Sequence, residues 1–89
     1  MRLAPTIGAL VGRAAAVAEA RGAATGWELL NAIPADATRS YQPYWALAAH
    51  LLKRMGRLPE AEEAYNRAIG LCEDAGMREF LMRQAGRVP

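Results

Sequence analysis

Three residues near the middle of the chain carry the side chains that a serine hydrolase needs. His50 is the only histidine of the 89-residue sequence, Ser40 is the only serine, and Asp36 lies four residues before that serine. Such catalysis requires the serine and the histidine within hydrogen-bond reach, with a third group that orients the histidine. The segment around Asp36 and Ser40 has no strained elbow motif, so we predict a turn there and a protein that is not an enzyme.

A metal site would need ligands that the sequence does not supply. His50 and Cys72 can both bind zinc, but there is no second histidine or cysteine to complete the tetrahedral set that zinc prefers. Cys72 falls on an apolar helical stripe, where a cysteine usually acts as a small buried hydrophobic residue. The glycines also match no phosphate-binding loop. We therefore predict neither a metal nor a cofactor.

A set of residues on one side of a predicted helix has the chemistry of a binding surface. Lys53 and Arg54 can hold a carboxylate or an acidic segment, and His50 adds a donor whose charge depends on pH. The alternative is an ordinary basic helix C-terminus, which complements the helix dipole. The candidate partner-binding face consists of Pro43, Ala46, His50, Lys53 and Arg54.

Two helices are predicted before this face. Apolar spacing indicates a first helix over residues 6–21, with Gly22 as its C-terminal stop. Thr25 and Glu28 have capping-box spacing and predict the start of a short second helix, which Pro34 ends. The small and polar residues 34–40 are predicted to form a loop.

Three further helices are predicted after the loop. Pro43 suits the first turn of a third helix that Gly56 ends, and Pro59 opens a fourth. Asp74 can cap a fifth helix that runs to about Gly86. The sequence therefore predicts an all-α protein of about five helices, stacked as antiparallel helical hairpins.

The stretch 41–73 has the residue pattern of one complete tetratricopeptide-like hairpin. Gly22 and Gly56 are 34 residues apart, which is the tetratricopeptide period, and at that offset the first helices of two units match but the second helices do not. We predict one domain over residues 1–89, with a degenerate first hairpin at 5–34 and a capping helix at 74–87. The structural anchors are Gly22, Trp45, Ala48, Ala49, Leu52, Gly56, Ala61, Tyr65 and Ala68.

Composition limits the partners and the compartment. The net charge of +2 is too small to argue for a nucleic-acid partner, and no apolar run reaches the roughly 18 to 20 residues of a membrane span. A single cysteine excludes an internal disulfide and favours a reducing, cytoplasmic setting. Arg2 and the apolar residues 3–11 imitate a secretory signal, but Pro5 and Arg13 argue against one.

Two hairpin units and a cap are fewer than the three or more repeats that such arrays usually need. We therefore expect the open end of the first helix to be covered, either by a second copy of the chain or by a domain outside this polypeptide. The first option makes the chain a self-associating, homodimeric structural module with no role in transcription.

The stretch YQPYWALAAHLLKRMGRLPEAEEAYNRAIGLCED, followed by MREFL, resembles the C-terminal tetratricopeptide-like extension of bacterial extracytoplasmic-function (ECF) sigma factors of the sigma-70 family. The preceding GRAAAVAEARGAATGWELLNAIPA resembles the same extension, so the likeness covers about residues 5–87. It implies a module that regulates transcription initiation through contacts with sigma-factor regions or RNA polymerase. The regions that touch the promoter would precede this segment, so the resemblance implies no direct binding of nucleic acid.

Overall fold

In the computed structural model, the described part of the chain is residues 6–86. Within it the protein forms six α-helices and no strand, which confirms the all-α prediction. The predicted hairpin start at Pro5, the signal-like beginning at Arg2 and the predicted helix end at Arg87 lie outside the described residues. The helices are α1 Ile7–Arg21, α2 Ala23–Asn31, α3 Ala35–Thr38, α4 Gln42–Arg54, α5 Leu58–Leu71 and α6 Ala75–Gln84.

Gly22 joins the first two helices without a loop. It ends α1 and caps the start of α2 with a φ of +104°, a conformation that glycine adopts without steric cost. α2 therefore begins two residues before the predicted capping box, and Thr25 and Glu28 lie inside the helix. The prediction of Thr25 as the helix cap was wrong, because the chain reverses at a single residue and leaves no linker for a side-chain cap.

The predicted loop at residues 34–40 contains the single helical turn α3. Pro34 precedes this turn, and the Thr38 hydroxyl donates a hydrogen bond to the Ala35 carbonyl at 3.2 Å. Thr38 is buried although it is polar, because its hydroxyl is satisfied inside the turn. This turn accounts for the sixth helix.

The α4–α5 hairpin forms the centre of the stack. α4 packs against α1, α2 and α5, and α6 packs against α5. Because α4 has neighbours on several sides, it buries a wider arc than the single stripe that the sequence predicts. Trp45 lies only partly buried at the edge of the core, whereas Tyr44 and Leu51, which the stripe leaves out, are buried. The other predicted apolar anchors, Ala48, Ala49, Leu52, Ala61, Tyr65 and Ala68, are all buried.

The two buried tyrosines are expected to make the fold sensitive to alkaline pH. Burial raises the pKa of Tyr44 and Tyr65 above the ordinary value of 10.0. The folded state then keeps both phenols neutral at a pH where the unfolded chain ionises them. Their contribution to stability is complete below pH 10 and is lost as the pH rises through the folded pKa values.

We expect the urea concentration at the midpoint of unfolding, measured between about pH 8 and pH 11, to decrease once the pH exceeds about 10. The matched control is the double variant Tyr44→Phe and Tyr65→Phe, which lacks both titrating groups. Its unfolding midpoint should fall less steeply over the same range. An equally steep fall in the double variant would assign the alkaline sensitivity to other groups.

Candidate functional site

An apolar groove runs between α4 and α6. Its volume is about 380 Å³, and Tyr65 and Leu81, both buried, contribute to its lining. Met77 and Phe80 are 44% and 48% exposed, although both side chains are large and apolar. Exposed apolar residues that cluster in a concave site are typical of binding surfaces. The groove is also lined by Ala46, Leu47, His50 and Gln84.

Lys53 connects α4 to the C-terminal end of α6. Its Nζ donates a hydrogen bond to the Gln84 carbonyl oxygen at 2.6 Å. That carbonyl belongs to the last turn of α6, where backbone acceptors have no partner within the helix. The contact places the ammonium group near the groove, since Gln84 also lines it. A lysine has three donors, and this contact uses one of them.

Arg54 interacts with α1, whereas Lys53 interacts with α6. Its Nη1 is 3.9 Å from Oε2 of Glu19 in α1, and the two side chains are 47% and 81% exposed. Such an exposed ion pair contributes little to stability. Lys53 and Arg54 therefore contact different helices and do not form a joint carboxylate-binding pair.

The structure brings together only part of the candidate partner-binding face. Ala46 and His50 line the groove, and Lys53 is linked to it through Gln84. Pro43 is exposed in the first turn of α4, and Arg54 pairs with Glu19. The predicted face lacks most of the apolar residues that line the groove, among them Leu47, Met77 and Phe80. The spacing of Met77, Phe80 and Leu81 marks one face of a helix, but it does not show which helix lies opposite.

The residues considered for hydrolysis are separated in the structure. Ser40 precedes α4, and His50 lies eight residues beyond the start of that helix at Gln42. Eight residues of α-helix rise about 12 Å, which is far beyond hydrogen-bond reach. Asp36 pairs with Arg39 at 3.0 Å, and Ser40 is exposed.

Cys72 is buried at the C-terminal end of α5. Its Sγ donates a hydrogen bond to the Asp74 carbonyl oxygen at 3.3 Å, while His50 lies in the groove between α4 and α6. In the part of the chain that the structure describes, no three side chains of the types that hold metal ions come together.

The described residues form an all-α stack of helical hairpins with an open apolar groove between α4 and α6. No family model, no curated protein and no solved structure matches the chain. Between Thr6 and Gly86, none of the helices has both the length and the apolar character needed to cross a bilayer.

Proposed function

We propose that the chain is a non-enzymatic protein-interaction module that holds an apolar segment of another protein in the groove between α4 and α6. The observation that supports this is the groove itself, with Met77 and Phe80 about half exposed on one wall. A helix that lays its apolar face into such a groove gains affinity from a few buried anchor side chains.

The charges around the groove favour an acidic partner segment. Lys53 brings an ammonium group to one end of the groove, and His50 on the α4 wall carries a ring N–H donor. The nearest carboxylate of α6, Glu79, is 3.7 Å from Arg83 and is therefore compensated. An apolar anchor flanked by Asp or Glu matches this arrangement of apolar floor and basic rim.

By its resemblance to the C-terminal extension of ECF sigma factors, we place this module in the cytoplasm, in the regulation of transcription initiation. The partner would then be a sigma-factor region or RNA polymerase. The DNA upstream of the Met1 codon tests this setting. An in-frame segment that encodes sigma regions supports it, and an in-frame segment of another kind contradicts it.

Replacement of Phe80 by serine is expected to weaken binding of a groove ligand by about tenfold or more, because a half-exposed aromatic anchor is removed. The probe is an acidic helical peptide that is selected from a displayed library for binding to the full chain. Its affinity is measured by fluorescence anisotropy. The matched control is Leu58→Ser, because Leu58 is 60% exposed but lies outside the groove. Leu58→Ser should leave the affinity unchanged.

The interaction proposal fails if no selected peptide binds the chain in the anisotropy measurement. It also fails if Leu58→Ser weakens peptide binding as much as Phe80→Ser does. Circular dichroism and urea unfolding check that both variants remain folded, since surface changes of this kind usually alter stability by about 0.5 kcal/mol or less. Light scattering over a concentration series tests whether a second copy of the chain occupies the groove instead. A dimer that Phe80→Ser dissociates would identify the occupant as the chain itself.

A further inference from the structure

A second cavity lies on the opposite face of α4, where α2, α4 and α5 meet. Its volume is about 180 Å³, and both tryptophans of the chain, Trp27 and Trp45, line it together with Tyr44. Two carboxylates, Glu60 and Glu63, complete the polar part of the wall. Aromatic rings beside carboxylates form an environment that attracts cations and repels anions.

Both indole rings already have cations from the chain next to them. The guanidinium carbon of Arg57 is 5.7 Å from the ring centroid of Trp27, and that of Arg67 is 4.8 Å from the ring centroid of Trp45. These distances lie within the range of cation–π attraction. Neither arginine is among the residues that line the cavity.

The Trp45 ring is held in a fixed orientation. Its Nε1–H donates to the carbonyl oxygens of Thr38 and Arg39 at 3.1 and 3.2 Å. The Tyr44 ring meets it edge to face, with centroids 4.9 Å apart and an interplanar angle of 87°. The indole therefore has no donor left for a ligand and offers only its π surface.

The two carboxylates differ in how far they are compensated. Glu60 accepts a hydrogen bond from Nε of Arg57 at 2.7 Å, and this contact lowers the pKa of Glu60. Among residues 6–86, the Glu63 carboxylate has no hydrogen-bond or ion-pair partner. A carboxylate without an ion-pair partner therefore lines the same cavity as the two tryptophan rings.

We propose that this cavity, which we name the aromatic cleft, binds an alkylated ammonium group such as that of trimethyllysine or choline. Such a cation carries its charge on methyl groups and has no N–H to donate, so π surfaces and a nearby carboxylate suit it better than hydrogen-bond acceptors do. The cleft is separate from the groove between α4 and α6, because its α4 residues lie on the other side of that helix.

The test uses the full chain labelled with ¹⁵N, in which the two tryptophan indole N–H signals report on the cleft. Choline and a trimethyllysine peptide are each titrated, and 3,3-dimethylbutanol serves as a neutral molecule of the same shape as choline. Both cations should shift both indole signals in a saturable way, and the neutral alcohol should bind about tenfold more weakly or not at all. Tighter binding of the peptide indicates a protein source of the cation, and tighter binding of choline indicates a small molecule.

A pair of charge variants tests the role of the unpaired carboxylate. Glu63→Gln should weaken choline binding about fivefold, because it removes the negative charge beside the rings. Glu73→Gln makes the same charge change at an exposed residue that does not line the cleft, and should leave the affinity unchanged. The proposal is overturned if neither indole signal moves with either cation, if the neutral alcohol binds as well as choline, or if the two variants behave alike.

Discussion

Replacement of Gly26 by alanine is expected to destabilise the protein by roughly 3 kcal/mol, which is the upper part of the usual range for overpacking a core. A Cβ atom at this position would lie 2.5 Å from the Ala18 Cβ, 2.9 Å from the Ala14 carbonyl oxygen and 2.9 Å from the Ala18 Cα. Two of these atoms belong to the backbone of α1 and cannot rotate away. The α1 and α2 helices would therefore have to separate.

The matched control for this variant is Gly12→Ala in the middle of α1. A Cβ at Gly12 would meet no atom within 4 Å, so the only effect is the higher helix propensity of alanine. Gly12→Ala should stabilise the protein by about 0.5 to 1 kcal/mol. Urea unfolding of both variants gives the comparison. A Gly26→Ala variant as stable as Gly12→Ala would show that α1 and α2 do not approach as closely as the structure indicates.

Replacement of Leu51 by alanine is expected to lower the free energy of unfolding by about 3 to 5 kcal/mol. Leu51 has no exposed surface and is among the largest fully buried side chains. Because α4 packs on four other helices, the surrounding residues have little freedom to fill the cavity. A domain of this size is stable by roughly 5 to 13 kcal/mol, so the variant would lose a large share of its stability.

The control for Leu51 is an exposed leucine of the same hairpin. Leu58 begins α5 and is 60% exposed, so Leu58→Ala should change the unfolding free energy by about 0.5 kcal/mol or less. Thermal and urea unfolding should rank the two variants identically. A loss below about 1 kcal/mol for Leu51→Ala would mean that α4 does not occupy the centre of the stack.

The order of the long helices could be predicted from the sequence because their signals are local. Gly22 and Gly56 have positive φ values of 104° and 78°, and Asp74 accepts a hydrogen bond from the Met77 amide at 2.7 Å as a helix cap. Burial is not a local property. Leu51 lies outside the predicted stripe and becomes buried only because α4 has neighbours on several sides.

The candidate site could be predicted only in part for the same reason. Helical spacing placed Ala46, His50 and Lys53 on one side of a helix, and two of these residues line the groove. The partners of the basic residues were not predictable, since Lys53 contacts Gln84, 31 residues away, and Arg54 contacts Glu19 in another hairpin. Likewise, Trp27 and Trp45 enter one cleft only because α2 packs against α4.

The shallow attachment of α6 has a consequence for how the groove is maintained. Leu81 is the only buried residue of that helix, and the Lys53 hydrogen bond to Gln84 holds its far end. A helix with so few buried side chains opens at a lower free energy than the core of the domain. The groove exists only while α6 is docked, so a ligand that fills it also selects the docked state. Binding of the ligand and docking of α6 are then coupled in a single equilibrium.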